Sequence, residues 1–134
     1  MRKLVLIAAT IGMTVPAMAQ DKYVVSANIA MKNQNFEEAK TEIDKAMASP
    51  ETREKPKALF AKAQIYYMLQ DQEKYKASNP YREALATTIK LAEVKADYEK
   101  LTVDNMLLRG GFLSYNDGVK AYNDKRYSES VELM

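Results

Sequence analysis

Phe36, Tyr81 and Tyr127 each stand three residues before a small residue: Ala39, Ala84 and Ser130. The surrounding stretches NQNFEEAKTEIDKAM, ASNPYREALATTIKLA and NDKRYSESVEL align on those rings. Upstream of each lies a second stretch with its own small residue: Ala27 in SANIAM, Ala63 in KAQIYYM and Gly118 in DGVKAY. Internal similarity of this kind restricts the fold more than composition does. A short unit that recurs cannot bury its apolar face alone and must stack on its neighbours.

Apolar residues after position 20 recur at three- and four-residue spacing, the period of one helix face. No sustained alternation suggests strands. Asn79-Pro80 ahead of YREALATTIKLA places a good cap before a proline suited to a first helical position. Pro50 and Pro56 bracket another break, with Ser49 or Thr52 as candidate caps. The expected fold is all-α, with helices near 21–33, 36–48, 55–69, 80–100, 103–124 and from 127 onward. Two antiparallel helices approach closely only where side chains are small. Ala27, Ala63 and Gly118 on the first helix of each pair, and Ala39, Ala84 and Ser130 on the second, supply that. The ring before each second helix then folds over the turn.

These residues resemble the tetratricopeptide repeat family, helical hairpins with a period of about 34 residues. Repeat 1 (about 20–52) matches through Tyr23, Ala27, Phe36, Ala39, Ile43, Ala46 and Pro50. Repeat 2 (about 55–98) matches through Leu59, Ala63, Tyr66, Tyr81, Ala84 and Leu91. An incomplete repeat 3 (about 103–134) matches through Gly118, Tyr122, Tyr127 and Ser130. The resemblance implies a right-handed solenoid whose concave face is lined by one side of each first helix. Transferred here, that face is Val24, Asn28 and Met31, then Phe60, Gln64 and Tyr67, then Tyr115, Val119 and Tyr122. Tyrosine offers contact area with a polar tip, which suits an extended peptide or a partner helix. Family members that grip a C-terminal carboxylate use Lys, Arg and Asn there. Only Asn28 fits, with Val24 one turn before it, so no such clamp is expected. The spacing departs from the family: Phe36 to Tyr81 is 45 residues and Tyr81 to Tyr127 is 46. The excess falls in LQDQEKYKAS, residues 69–78, read as a longer turn or extended helix end. It falls again in KADYEKLTVDNMLL, residues 95–108, read as extra helix.

The first nineteen residues read as a signal peptide. Arg2 and Lys3 precede LVLIAATIGM, residues 4–13, too short to span a bilayer, which takes roughly 20 apolar residues. Pro16 and the small-x-small Ala17-Met18-Ala19 then mark cleavage before Gln20. An uncleaved anchor is disfavoured by the short run and the polar QDK after it. The expected address is export, to a bacterial periplasm or beyond it, with no membrane insertion after cleavage. SVELM stops partway through what reads as a second helix, so the chain is expected to be a fragment of a longer reading frame. The alternative is a genuine terminus with a frayed last helix.

The chain carries 20 basic and 18 acidic residues. Arg2 and Lys3 belong to the leader, so the remainder holds 18 of each and is neutral. Nucleic-acid binding rests on an excess of Lys and Arg and is not expected. There is no Cys and no His. Ser-His-Asp triads and cysteine nucleophiles are therefore excluded, and a metal site would have to be all carboxylate. The carboxylates Glu37, Glu38, Glu42, Asp44, Glu93, Asp97 and Glu99 stand near Lys at helical spacing, the pattern of a solvated face. Gly110-Gly111 lacks the other residues of a phosphate loop and reads as a kink or loosened helix start. The expected function is a non-catalytic module, without cofactor, that binds a protein or peptide. Two other readings are the repeat region of a longer enzyme or ligand carrier, and a spacer in an envelope assembly.

Overall fold

The computed structural model describes residues 18–134, with side chains from residue 21. The described residues form seven helices and no strand: α1 Met18–Lys32, α2 Phe36–Ala48, α3 Pro56–Gln70, α4 Glu73–Lys76, α5 Pro80–Val94, α6 Lys100–Asn123 and α7 Tyr127–Leu133. The leader read from the sequence lies outside the described residues except for Met18 and Ala19, which open α1.

Local chemistry sets the helix ends. The Asn35 side chain accepts from the Glu38 amide at 3.3 Å, and its amide nitrogen donates to Glu38 Oε2 at 2.6 Å. Glu37 and Glu38 in the first turn of α2 and Lys45 in its last complement the helix dipole. Pro56 and Pro80 open α3 and α5, where their missing N–H costs nothing.

The chain makes the same left-handed step three times. Gln34, Asn79 and Lys125 have φ of 59°, 51° and 61°, and each stands two residues before Phe36, Tyr81 or Tyr127. At Gln34 the backbone closes a double turn: Gln34 N donates to the Met31 carbonyl and Asn35 N to the Ala30 carbonyl, at 3.0 and 2.9 Å. Lys125 and Arg126 repeat it onto Tyr122 and Ala121, at 3.0 and 2.8 Å. This pair of bonds satisfies the last carbonyls of a helix and reverses the chain. At the middle turn Pro80 has no N–H to give, and only the Asn79 N to Lys76 carbonyl bond remains, at 3.1 Å. Asn79 makes no side-chain cap bond; it takes the left-handed conformation that Asn tolerates best after Gly.

Packing follows chain order. Helix α1 lies on α2, α3 on α5 and α6 on α7, while α3 also packs on α1 and α2, and α6 on α5. Two core clusters share α3. Ala27, Ala30, Ala39, Ile43 and Ala46 meet Ala58, Ala61, Ile65 and Leu69 in the first. Leu59, Ala63 and Tyr67 meet Tyr81, Ala84, Leu91, Val103 and Met106 in the second. Burying Ile43 or Leu91 contributes about 1.5–3 kcal/mol each, whereas the alanines contribute by letting backbones approach. At the third hairpin, a Cβ on Gly118 would come 2.5 Å from Met134 Cγ.

Two element boundaries differ from expectation. The helix read as 80–100 ends at Val94, and α6 starts at Lys100 rather than near 103. Between them Glu99 takes φ 44°, and Tyr98 turns back to meet Phe60 edge-on, ring centroids 5.6 Å apart. The excess in 69–78 holds the extra turn α4, whose Tyr75 packs on the first core cluster. Gly110 and Gly111 lie inside α6 and start nothing. Gly110 is where α6 presses on its neighbours, since a Cβ there would meet the Tyr67 hydroxyl at 2.4 Å and Leu85 Cδ1 at 2.6 Å.

Candidate functional site

Helices α3 and α6 leave a groove of about 250 Å³ between them, lined by Gln64, Tyr67, Met68, Thr102, Asn105, Met106 and Arg109. Its floor is fixed by one buried bond: the Tyr67 hydroxyl donates to the Met106 carbonyl at 2.7 Å. Gly110, one turn on, lets α6 come close enough for that bond. The Arg109 guanidinium lies 5.2 Å from the Tyr67 ring centre and donates to Asp71 Oδ1 at 2.6 Å. Burial pushes the Tyr67 phenol above its usual range, with Thr88 and Arg109 pulling the other way. The phenol therefore stays protonated and keeps donating. Around this floor stand two amides, a hydroxyl and a thioether. Together they offer hydrogen bonds to a peptide backbone and a soft apolar contact to a side chain.

The residues read from the sequence as one concave face divide into several places. Val24 is in the first core cluster. Asn28 is half-buried, and Met31 packs against that cluster. Phe60 sits under Tyr98. Gln64 and Tyr67 come together in the groove. Tyr115 is exposed and Val119 half-buried on α6, and exposed Tyr122 meets Tyr127 edge-on with centroids 5.5 Å apart. Of the residues assigned to hairpin packing, Ala27, Ala39, Ala63, Tyr81, Ala84, Gly118 and Ser130 are buried, Phe36 half-buried and Tyr127 exposed. Met68, Thr102, Asn105, Met106 and Arg109 also line the groove and were not among the site residues read from the sequence. Positions 102, 105, 106 and 109 share one helix face, but 102, 105 and 106 fell in the 95–108 stretch read as extra helix.

A larger cleft, about 580 Å³, lies at the turn ends among Gln70, Asn79, Arg82, Asp117, Lys120 and Arg126. Most of its charges already face one another. Arg82 pairs with Asp117 at 3.4 Å, the Tyr81 hydroxyl donates to Asp117 at 2.6 Å, and Arg126 pairs with Asp124 and Glu129. The helix-face carboxylates pair similarly: Asp44 with Lys40 at 2.6 Å, Glu42 with Lys45 at 2.5 Å and Asp104 with Lys100 at 2.7 Å. Exposed pairs like these contribute about 0–1 kcal/mol each. Among the described residues no three His, Cys, Asp or Glu stand close enough to hold a metal ion, and no helix is long and apolar enough to cross a membrane.

Comparison of the chain with models of known protein families, with curated proteins and with solved structures finds no match in any of the three.

Proposed function

We propose that this chain is a non-catalytic binding module, a tetratricopeptide-like right-handed solenoid that holds an extended segment of a partner protein in the α3–α6 groove. The reading includes export, with residues 1–19 removed, to a bacterial periplasm, and no cofactor. The observation that carries it is the Tyr67–Met106 bond beneath Gln64, Met68, Thr102 and Asn105. That bond makes a rigid floor, so ligand binding orders little of the protein and keeps most of its contact energy. The groove's volume is below the roughly 300–1,000 Å³ usual for small-molecule sites and suits one or two peptide side chains. The threefold recurrence of the left-handed turn before an aromatic supports the repeat reading.

Peptides selected from a displayed library against the purified chain provide the test. Gln64→Ala with Thr102→Ala removes groove contacts without touching the floor. We expect peptide affinity to fall at least about tenfold, as for truncation of central interface contacts, with helicity unchanged. Peptides that bind this variant as well as the parent chain would place recognition elsewhere.

A further inference from the structure

Helix α6 is apolar on two opposite sides. Val103, Met106, Gly110 and Ala121 face inward and are buried. On the other side stand Leu101, Asn105, Leu108, Phe112, Tyr115, Val119 and Tyr122. Their spacing alternates four and three without a break, the pattern of a coiled-coil seam. Leu101, Leu108, Phe112, Tyr115 and Tyr122 are 77, 74, 64, 55 and 58 % exposed. Scattered exposed apolar residues are ordinary, but a continuous stripe this long marks an interaction surface.

We infer that this stripe is the interface of a homodimer, α6 of one chain lying along α6 of a second copy. Three observations favour that occupant. The first is length. Helix α6 has 24 residues against 15 in each of α1, α3 and α5. A further hairpin built of helices like those would leave one end of the stripe bare, whereas a second α6 covers all of it. The second is area. At roughly 200 Å² for each whole residue, the five side chains present about 650 Å² per copy. The pair buries at most about 1,300 Å² from these five, at the lower end of the range of about 1,200–2,000 Å² for stable specific interfaces. The third is polarity. Asn105 is the one polar member of the stripe, and in a parallel, in-register pair it meets its own counterpart, as single core asparagines do in two-stranded coils. The same register sets Asp104 of one chain opposite Arg109 of the second copy. This interface shares Asn105 and Arg109 with the rim of the α3–α6 groove, but Leu101, Leu108, Phe112, Tyr115 and Tyr122 lie outside the groove lining, so substitutions at those positions test the dimer separately from it.

Light scattering on the purified chain reads the mass directly. We expect twice 15.2 kDa for the full chain, and a single monomer mass for Phe112→Glu and for Leu108→Lys with unchanged helicity. The chain has no cysteine, so Leu108→Cys adds one reporter. It should form a disulfide-linked dimer under mild oxidation, while Ala86→Cys on exposed α5 surface should not. A monomeric parent chain across micromolar to submillimolar concentration, with no Leu108→Cys cross-link, overturns the inference and leaves the stripe to a further hairpin or a different protein. A dimer that persists in both charged variants overturns it as well.

Discussion

Gln34 and Lys125 occupy the same left-handed turn, φ 59° and 61°, at opposite ends of the chain, each two residues before an aromatic ring. Neither has a side chain suited to that conformation, which costs an L-residue roughly 1–2 kcal/mol. Gln34→Gly and Lys125→Gly should therefore each raise stability, by up to about 1 kcal/mol after the glycine's greater unfolded-state entropy is offset. Urea midpoints check this. A loss of stability at both positions would mean the turn is not left-handed in solution.

The adjacent glycines of α6 should respond oppositely to alanine. A Cβ at Gly110 runs into the Tyr67 hydroxyl and Leu85, while one at Gly111 meets nothing within 4 Å. Gly110→Ala should destabilise by about 1–3 kcal/mol, and Gly111→Ala should stabilise by about 0.5–1 kcal/mol. Thermal unfolding of the pair separates them, and equal shifts would contradict the packing of α6 on α3.

Which parts of the fold are legible in the sequence follows from where the information lies. Ala39, Ala63 and Ala84 announced their burial by spacing, because a small residue on an apolar helix face has one common use. The break at 95–99 gave no such sign. It contains neither Gly nor Pro, and next to left-handed Glu99 stands Tyr98 packed on Phe60, a contact between residues far apart in sequence. Tyr127 aligned with Phe36 and Tyr81 yet is exposed, since burial depends on what covers a ring and not on the ring. Two of the groove's seven lining residues, Gln64 and Tyr67, came from the family resemblance. Thr102 depends on α6 starting at Lys100, and Asn105 and Arg109 join the groove through the contact of α6 with Tyr67.

Ser130 is buried, and its hydroxyl oxygen has no hydrogen-bond partner. A buried unpaired hydroxyl costs about 1–3 kcal/mol. Ser130→Ala keeps the small size that α6 needs opposite Gly118 and removes the orphan. We expect a gain of about 1 kcal/mol in chemical denaturation; a loss would show that the hydroxyl is satisfied in solution.

Alkali should unfold the protein through three phenols. Burial pushes Tyr66, Tyr67 and Tyr81 up, and hydrogen bonds to Asp44 and Asp117 push Tyr66 and Tyr81 further. Folding therefore holds their protons more tightly than the unfolded chain does. The stability so gained is complete below the unfolded phenol's pKa near 10 and is lost as pH rises above it. These three phenols should ionise only together with loss of helicity. Phenolate absorbance recorded alongside circular dichroism reads both, and complete ionisation before any unfolding would contradict the burial.

The stacked-hairpin architecture requires that the helices pair where their side chains are smallest. Urea unfolding of Ala84→Leu beside Ala86→Leu measures this most directly, because both lie in α5 but only Ala84 is buried, at 0 % exposure. Ala84→Leu should lose about 1–3 kcal/mol by forcing α5 off α3, while Ala86→Leu should stay within about 0.5 kcal/mol of the parent. Two variants of indistinguishable stability would show that close approach is not what holds the hairpin together.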